Sequence, residues 1–195
     1  MSDITRLRAF VVDTARLLQN ETNEATILAQ LAPRLEDLIR HDDWLPEVSA
    51  STAGDHYRQH LLYADPLDRF SIVSFVWGPG QGTPIHDHRV WGLVGVLRGE
   101  EISVRYQQQP DGSLRAGAPE RLTAGQVAAV SPAIGDIHAI SNGLSDASSI
   151  SIHVYGGNIG RIRRAVYDAE TGAARDFISG YSNDTVPNLW PGHPA

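Results

Sequence analysis

The chain has 195 residues, enough to bury one full hydrophobic core and few for two. Acidic residues outnumber basic ones 23 to 16, for a formal charge of -7, and no Lys/Arg stripe could neutralise phosphates, which argues against nucleic acid and anionic membranes as partners. There is no cysteine, so disulfides, thiolate metal sites and cysteine nucleophiles are excluded and any metal must be held by histidine or carboxylate.

In chain order, Ile4, Leu7, Val11, Ala15 and Leu18 recur at helical spacing, with Ser2 or Asp3 as the expected N-cap. A second helical stretch carries Ile27, Leu28 and Leu31, then Leu35, Leu38 and Ile39 after Pro33, which is expected to open a new helical turn. After Trp44 the pattern changes to short β-rich runs punctuated by Gly, Pro, Asn and Asp: Arg69 to Trp77, Trp91 to Leu97, Ile102 to Tyr106, Gln126 to Val130 and Ser148 to Tyr155. Such runs indicate a sandwich or barrel. Gln109 to Ser113 reads as a hairpin turn, its Asp111-Gly112 pair supplying positive φ. Past Arg164 a short amphipathic piece is expected, then an irregular Pro-rich tail. The organisation predicted is one domain over 1–195: helices over 1–45, a β-barrel over 46–165 with the helices packed outside, and a C-terminal segment over 166–195. With no signal-peptide pattern and no apolar run of bilayer-spanning length, a soluble cytoplasmic protein is expected.

Of eight histidines, His41, His56, His60 and His193 sit in polar or loop-like contexts and read as surface groups. His86 and His88 flank one residue, so in extended backbone both imidazoles project to the same face and can chelate a metal. The spacing of Gly80, His86, His88 and Gly99 resembles the first cupin motif, and Gly125, Pro132, Gly135, His138 and Asn142 resemble the second. The resemblance implies a mainly β cupin (jelly-roll) barrel with His86, His88 and His138 as three nitrogen ligands of a metal. Where many metal cupins carry a glutamate shortly after the His-X-His pair, this chain has Gly92 and Leu93. An all-imidazole set leaves the charge of a divalent ion to be balanced by an anionic substrate.

Ser151, His153 and Tyr155 alternate with Ile150, Ile152 and Val154, so the polar three share one strand face. An ordinary amphipathic strand with that face in water is the competing reading. Beside the cupin motifs, however, this Ser-X-His-X-Tyr segment resembles the hydrogen-bonding triad of the thiol dioxygenase family, which includes cysteine dioxygenase and 3-mercaptopropionate dioxygenase. The resemblance runs from about Tyr57 to Arg164. It implies Fe(II) as cofactor, a small thiol and O2 as substrates, a sulfinate as product, and Tyr155, oriented by His153 and Ser151, as a hydrogen-bond donor beside the metal. Animal-type members carry a Cys-Tyr crosslink, which a chain without cysteine cannot form, so Tyr155 must act unmodified.

The same resemblance bears on substrate. The cysteine-specific branch carries a carboxylate-binding arginine where this chain has Gln59, whereas the glutamine-bearing branch places an arginine nine residues after the relay tyrosine, which is Arg164 here. Pairing of a carboxylate with Arg164 makes 3-mercaptopropionate the expected substrate, with cysteine a slower one. Other three-histidine cupins remain as alternatives: a zinc-dependent isomerase or hydrolase, or a non-catalytic ligand-binding protein.

Overall fold

The computed structural model describes residues 4–52 and 54–190; the expected N-cap residues Ser2 and Asp3, and His193, lie outside them. Helix α1 (Thr5–Asn20) and helix α2 (Glu24–Ile39) come first. Asn23 caps α2 by accepting the Thr26 backbone N–H at 3.0 Å. Pro33 does not begin a helical turn of its own but lies inside continuous α2. The buried residues on both sides of it, Leu31 and Leu35, keep the helix seated through the lost hydrogen bond.

Eleven strands follow among the described residues: β1 (Arg58–Ala64), β2 (Ser71–Trp77), β3 (Ile85–His86), β4 (Gly92–Arg98), β5 (Glu100–Gln108), β6 (Leu114–Thr123), β7 (Val127–Val130), β8 (His138–Asn142), β9 (Ser149–Tyr155), β10 (Arg164–Tyr167) and β11 (Ala174–Phe177). They form two antiparallel sheets, ordered β1-β2-β9-β4-β7 and β11-β10-β3-β8-β5-β6. The segment after Arg164 joins the second sheet: β10 and β11 carry it beyond residue 165, with β10 pairing β3 so that Val166 stands opposite His86. The Gln109–Ser113 turn closes the β5–β6 hairpin with Gly112 at φ 89°.

The helices lie on the outer face of the first sheet. Leu7, Leu31, Leu35 and Leu38 pack with Ile72, Leu93, Ile150, Ile152 and Val154 in one buried cluster. Each large side chain buried there contributes about 1.5–3 kcal/mol. Trp44 closes the cluster, its indole N–H donating to the Leu38 carbonyl at 3.0 Å. Trp91 belongs to this core, whereas Trp190 is exposed beneath the guanidinium of Arg8. Inside the barrel a smaller cluster of Val73, Phe75, Trp77, Ile140, Tyr155 and Ile159 surrounds polar groups.

The final stretch runs along the free edge of β1. Gln59 and Ser182 exchange hydrogen bonds, and the Asn183 side chain accepts from the Leu61 N–H at 2.7 Å while donating to its carbonyl at 2.9 Å. A strand edge that would otherwise present unpaired backbone is thereby satisfied.

Candidate metal centre and pocket

His86 and His88 point into the barrel while Asp87, between them, points the other way. The Asp87 carboxylate accepts the Ala165 N–H at 2.7 Å and the Tyr167 hydroxyl at 3.1 Å, which ties the His86–His88 segment to β10. His138 enters from β8, directly paired with His86. The three ring centroids lie 4.8–4.9 Å apart, and one nitrogen from each ring lies within 4.8 Å of the others.

Hydrogen bonds fix the tautomers. A carbonyl can only accept, so Nδ1 of His86 carries its proton toward Pro84 at 3.0 Å. His88 Nδ1 donates to Asp136 at 3.0 Å, and the same carboxylate accepts the backbone N–H of His88 and of Arg89. Burial would raise the Asp136 pKa, but the hydrogen bonds from His88 and Arg89 hold it below the usual value. Arg89 adopts φ 61°, a left-handed conformation held by this carboxylate. His138 Nδ1 faces Ser103 Oγ at 3.4 Å.

Nε2 of His88 and of His138 is buried with no hydrogen-bond partner. Burial and mutual repulsion push the His86 pKa down to about 3 and that of His138 well below its usual value, so both rings are neutral. Neutral imidazoles with converging, otherwise unsatisfied lone pairs are the donor set of a divalent transition metal, so these residues fit such an ion.

On β9 the polar face points into the barrel. Ser151 Oγ lies 2.8 Å from His153 Nε2, and His153 Nδ1 lies 2.7 Å from the Tyr155 hydroxyl. The Tyr155 ring stacks on His88 at 5.4 Å between centroids. Gly92 pairs opposite Tyr155, and a Cβ there would lie 2.9 Å from the ring, so only glycine lets the phenol lie flat against β4.

A small cavity of about 30 Å³ joins these groups, lined by Tyr57, Gln59, Phe75, His86, Tyr155, Arg164 and Phe177 among others. Arg164 is 4% exposed. Its Nη2 donates to Ser179 Oγ at 2.8 Å and its guanidinium lies 4.6 Å from the centre of the Phe177 ring. Its Nε has no partner, and burial lowers its pKa. Gln59 donates to the same Ser179 hydroxyl at 3.0 Å and also to the Gly180 carbonyl.

The structure thus brings His86, His88 and His138 together at one point, strings Ser151, His153 and Tyr155 beside them, and places Arg164 and Gln59 in the cavity wall. His60 departs from its expected surface position: it is buried in β1 with Nε2 unpartnered. Sequence reasoning missed Asp136, whose signal is an acidic residue two positions before His138, and Glu101, which is wholly buried beneath the relay.

Two antiparallel sheets closing around three inward imidazoles define a cupin barrel. The family model for cysteine dioxygenase type I matches residues 50–168, and the chain belongs to that family. Among solved structures it is similar to an uncharacterized conserved protein with a double-stranded beta-helix domain from Klebsiella pneumoniae subsp. pneumoniae MGH 78578, at 20% identity over 66% of this chain and 98% of that one, with a TM-score of 0.47. It is also similar to a cupin superfamily protein from Desulfitobacterium hafniense DCB-2, at 18% identity over 60% of this chain and 94% of that one, with a TM-score of 0.44. No helix among the described residues is long and apolar enough to cross a membrane.

Proposed function

We propose that the protein is a non-heme Fe(II)-dependent thiol dioxygenase that prefers 3-mercaptopropionate and accepts cysteine more slowly. Family membership supports the reaction class. One observation carries the substrate class: Arg164, a buried cation with an unpartnered Nε, lines the same cavity as His86 and Tyr155. Among the described residues no carboxylate pairs with it. A buried charge left unpaired is costly, so the site is complementary to an anionic ligand.

His86, His88 and His138 would hold the metal, which when bound supplies the Lewis acidity and redox capacity for adding both atoms of O2 to a thiol sulfur. Arg164 pairs with the substrate carboxylate and so fixes the end of the molecule remote from sulfur. Tyr155 donates a hydrogen bond into the pocket, its hydroxyl oriented by His153 and Ser151. Phe75 and Phe177 exclude water from the cavity, and Gln59 holds the Ser179 hydroxyl that Arg164 also uses.

The test is anaerobic loading with Fe(II), followed by O2 uptake and sulfinate formation with 3-mercaptopropionate, cysteine and cysteamine. The expected order of kcat/KM is that order, because cysteamine lacks the carboxylate. A preference for cysteine would overturn the substrate assignment, and absence of sulfinate from every thiol would overturn the reaction.

A further inference from the structure

Glu101 lies on β5 with no exposed surface, and neither carboxyl oxygen has a hydrogen-bond partner. Its carboxyl lies against the Ser151 hydroxyl and the Trp77 indole. Ser151 is also the far end of the Ser151-His153-Tyr155 series, and it accepts the Trp77 N–H at 3.1 Å. Across the barrel from Glu101 stand Trp77 on β2 and Ser151, His153 and Tyr155 on β9, with Asn142 beside it on β8. Of the other charged neighbours, Glu100 on β5 pairs with Arg121 on β6 at the surface, and His138 on β8 meets Ser103, two residues along β5.

We propose that Glu101 is the fourth member of this relay, a positioning residue whose protonation state sets the direction of every hydrogen bond in it. The donors and acceptors leave two registers. With Glu101 protonated, its O–H donates to Ser151, Ser151 donates to His153 Nε2, His153 Nδ1–H donates to Tyr155, and the Tyr155 O–H is free to donate into the pocket. With Glu101 ionised, Ser151 donates to the carboxylate, His153 Nε2–H donates to Ser151, and the Tyr155 O–H turns to His153 Nδ1. Ser151 accepts the Trp77 N–H and is fully satisfied in both registers. Passing between them moves the His153 proton from one ring nitrogen to the other.

The switch stands on the burial of Glu101 against the far end of the Ser151-His153-Tyr155 series. Burial pushes the Glu101 pKa up to about 7, which puts the change of register near neutrality. The consequence for catalysis rests on the thiol dioxygenase reading, in which Tyr155 must donate into the pocket; the relay itself does not.

The experiment is 15N NMR of the histidine rings in the full-length chain between about pH 5.5 and pH 8.5, metal-free and with Zn(II) added as a diamagnetic probe. In the wild type His153 should change from the Nδ1–H to the Nε2–H tautomer with a midpoint near 7. In Glu101→Gln, whose amide can donate but never ionise, it should remain Nδ1–H throughout. Ser151→Ala, which cuts the link, should also remove the pH dependence, and decides the matter if Glu101→Gln does not fold. A single wild-type tautomer across the range, or an unchanged switch in either variant, would overturn the proposal. A failed dioxygenase reading would appear instead as no sulfinate from any thiol, with the tautomer measurement unaffected.

Discussion

The two faces of β9 come from the same seven residues and meet opposite surroundings. Outward, Ile150, Ile152 and Val154 belong to one buried cluster with residues of helices α1 and α2, in a layer whose buried groups are nearly all apolar. Inward, Ser151, His153 and Tyr155 are buried just as deeply, among imidazoles, a carboxyl and a guanidinium that are only partly satisfied. Burial alone therefore does not separate core from site in this barrel. What separates them is where unsatisfied groups gather: elsewhere among the described residues Thr14 Oγ1 and His60 Nε2 stand singly, whereas the inner face collects Nε2 of His88 and of His138, the Glu101 carboxyl and Arg164 Nε, and is complementary to something further.

That contrast can be broken by substitution on either side. The largest effect is expected at the imidazoles: His88→Ala should bring metal content to background and turnover below detection while the fold persists, measured by metal analysis and circular dichroism. Full metal occupancy in His86→Ala, His88→Ala and His138→Ala alike would show that the inner face holds no metal. On the outer face, Ile152→Ala should cost about 2–5 kcal/mol of stability in denaturant titrations, with metal bound normally by the folded fraction. A fall in metal affinity without a fall in stability would erase the distinction between the faces.

A smaller effect is expected at the cavity wall. Losing a charge-assisted hydrogen bond costs about 1.5–3 kcal/mol, so Arg164→Ala should lower kcat/KM for 3-mercaptopropionate by roughly one to two orders of magnitude and leave metal content unchanged. An indifferent variant would return Arg164 to a structural role.

The smallest effect is graded with pH. Burial holds His86, His138 and His153 neutral in the fold, with pKa values below the ordinary 6.5. A depressed histidine pKa means that the unfolded chain binds the proton first, so their stabilisation is complete above 6.5 and lost as the pH falls below it. Each contributes about 1.4 kcal/mol per pH unit. Glu101 acts with the opposite sign: its raised pKa gives stability that is present below the ordinary 4.5 and lost as pH rises through about 7. Three histidines against one carboxyl leave a net loss of at least about 1.4 kcal/mol per pH unit on acidification from pH 6.5 to pH 5 in the metal-free chain. A flat stability profile would mean that the inner face is wetter than its packing implies.

The same contrast explains what the sequence revealed. Strands β2, β4 and β9 carry near-continuous or cleanly alternating apolar residues because a helix layer or the barrel core meets them, and such patterns are readable in isolation. Strand β6 was missed because most of its residues are exposed and it includes Gly117 and Pro119, so no burial pattern marks it. Strand β3 was missed for its two-residue length, β10 because it has four residues and pairs with β3 far away in the sequence, and β11 because it is mostly exposed and carries Arg175 and Asp176. Helix α2 runs through Pro33 because tertiary packing on both sides outweighs the local penalty, which composition alone does not disclose.

The motif histidines, Ser151, His153, Tyr155 and Arg164 were all singled out from spacing and resemblance. Asp136 and Glu101 were not, since an isolated carboxylate in a polar stretch ordinarily lies in water. Strand β5 did hold a usable sign: Glu101 and Ser103 alternate with Ile102 and Val104 as Ser151, His153 and Tyr155 alternate with Ile150, Ile152 and Val154 on β9, and in both strands the polar set is buried. Where polar residues occupy the alternating positions of two strands in one barrel, the interior is the polar side.

The stretch from Ser179 to Asn183 gives the protein an order of completion. The last of the three converging imidazoles, His138, is synthesised well before the residues that hold Gln59 and Arg164 in place. On a ribosome the emerging chain therefore possesses its three histidines first and receives the wall of its pocket last, when Ser179 reaches Arg164 and Asn183 grips Leu61. The Arg164 wall is thus set only once the Ser179–Asn183 stretch has come home to the edge of β1.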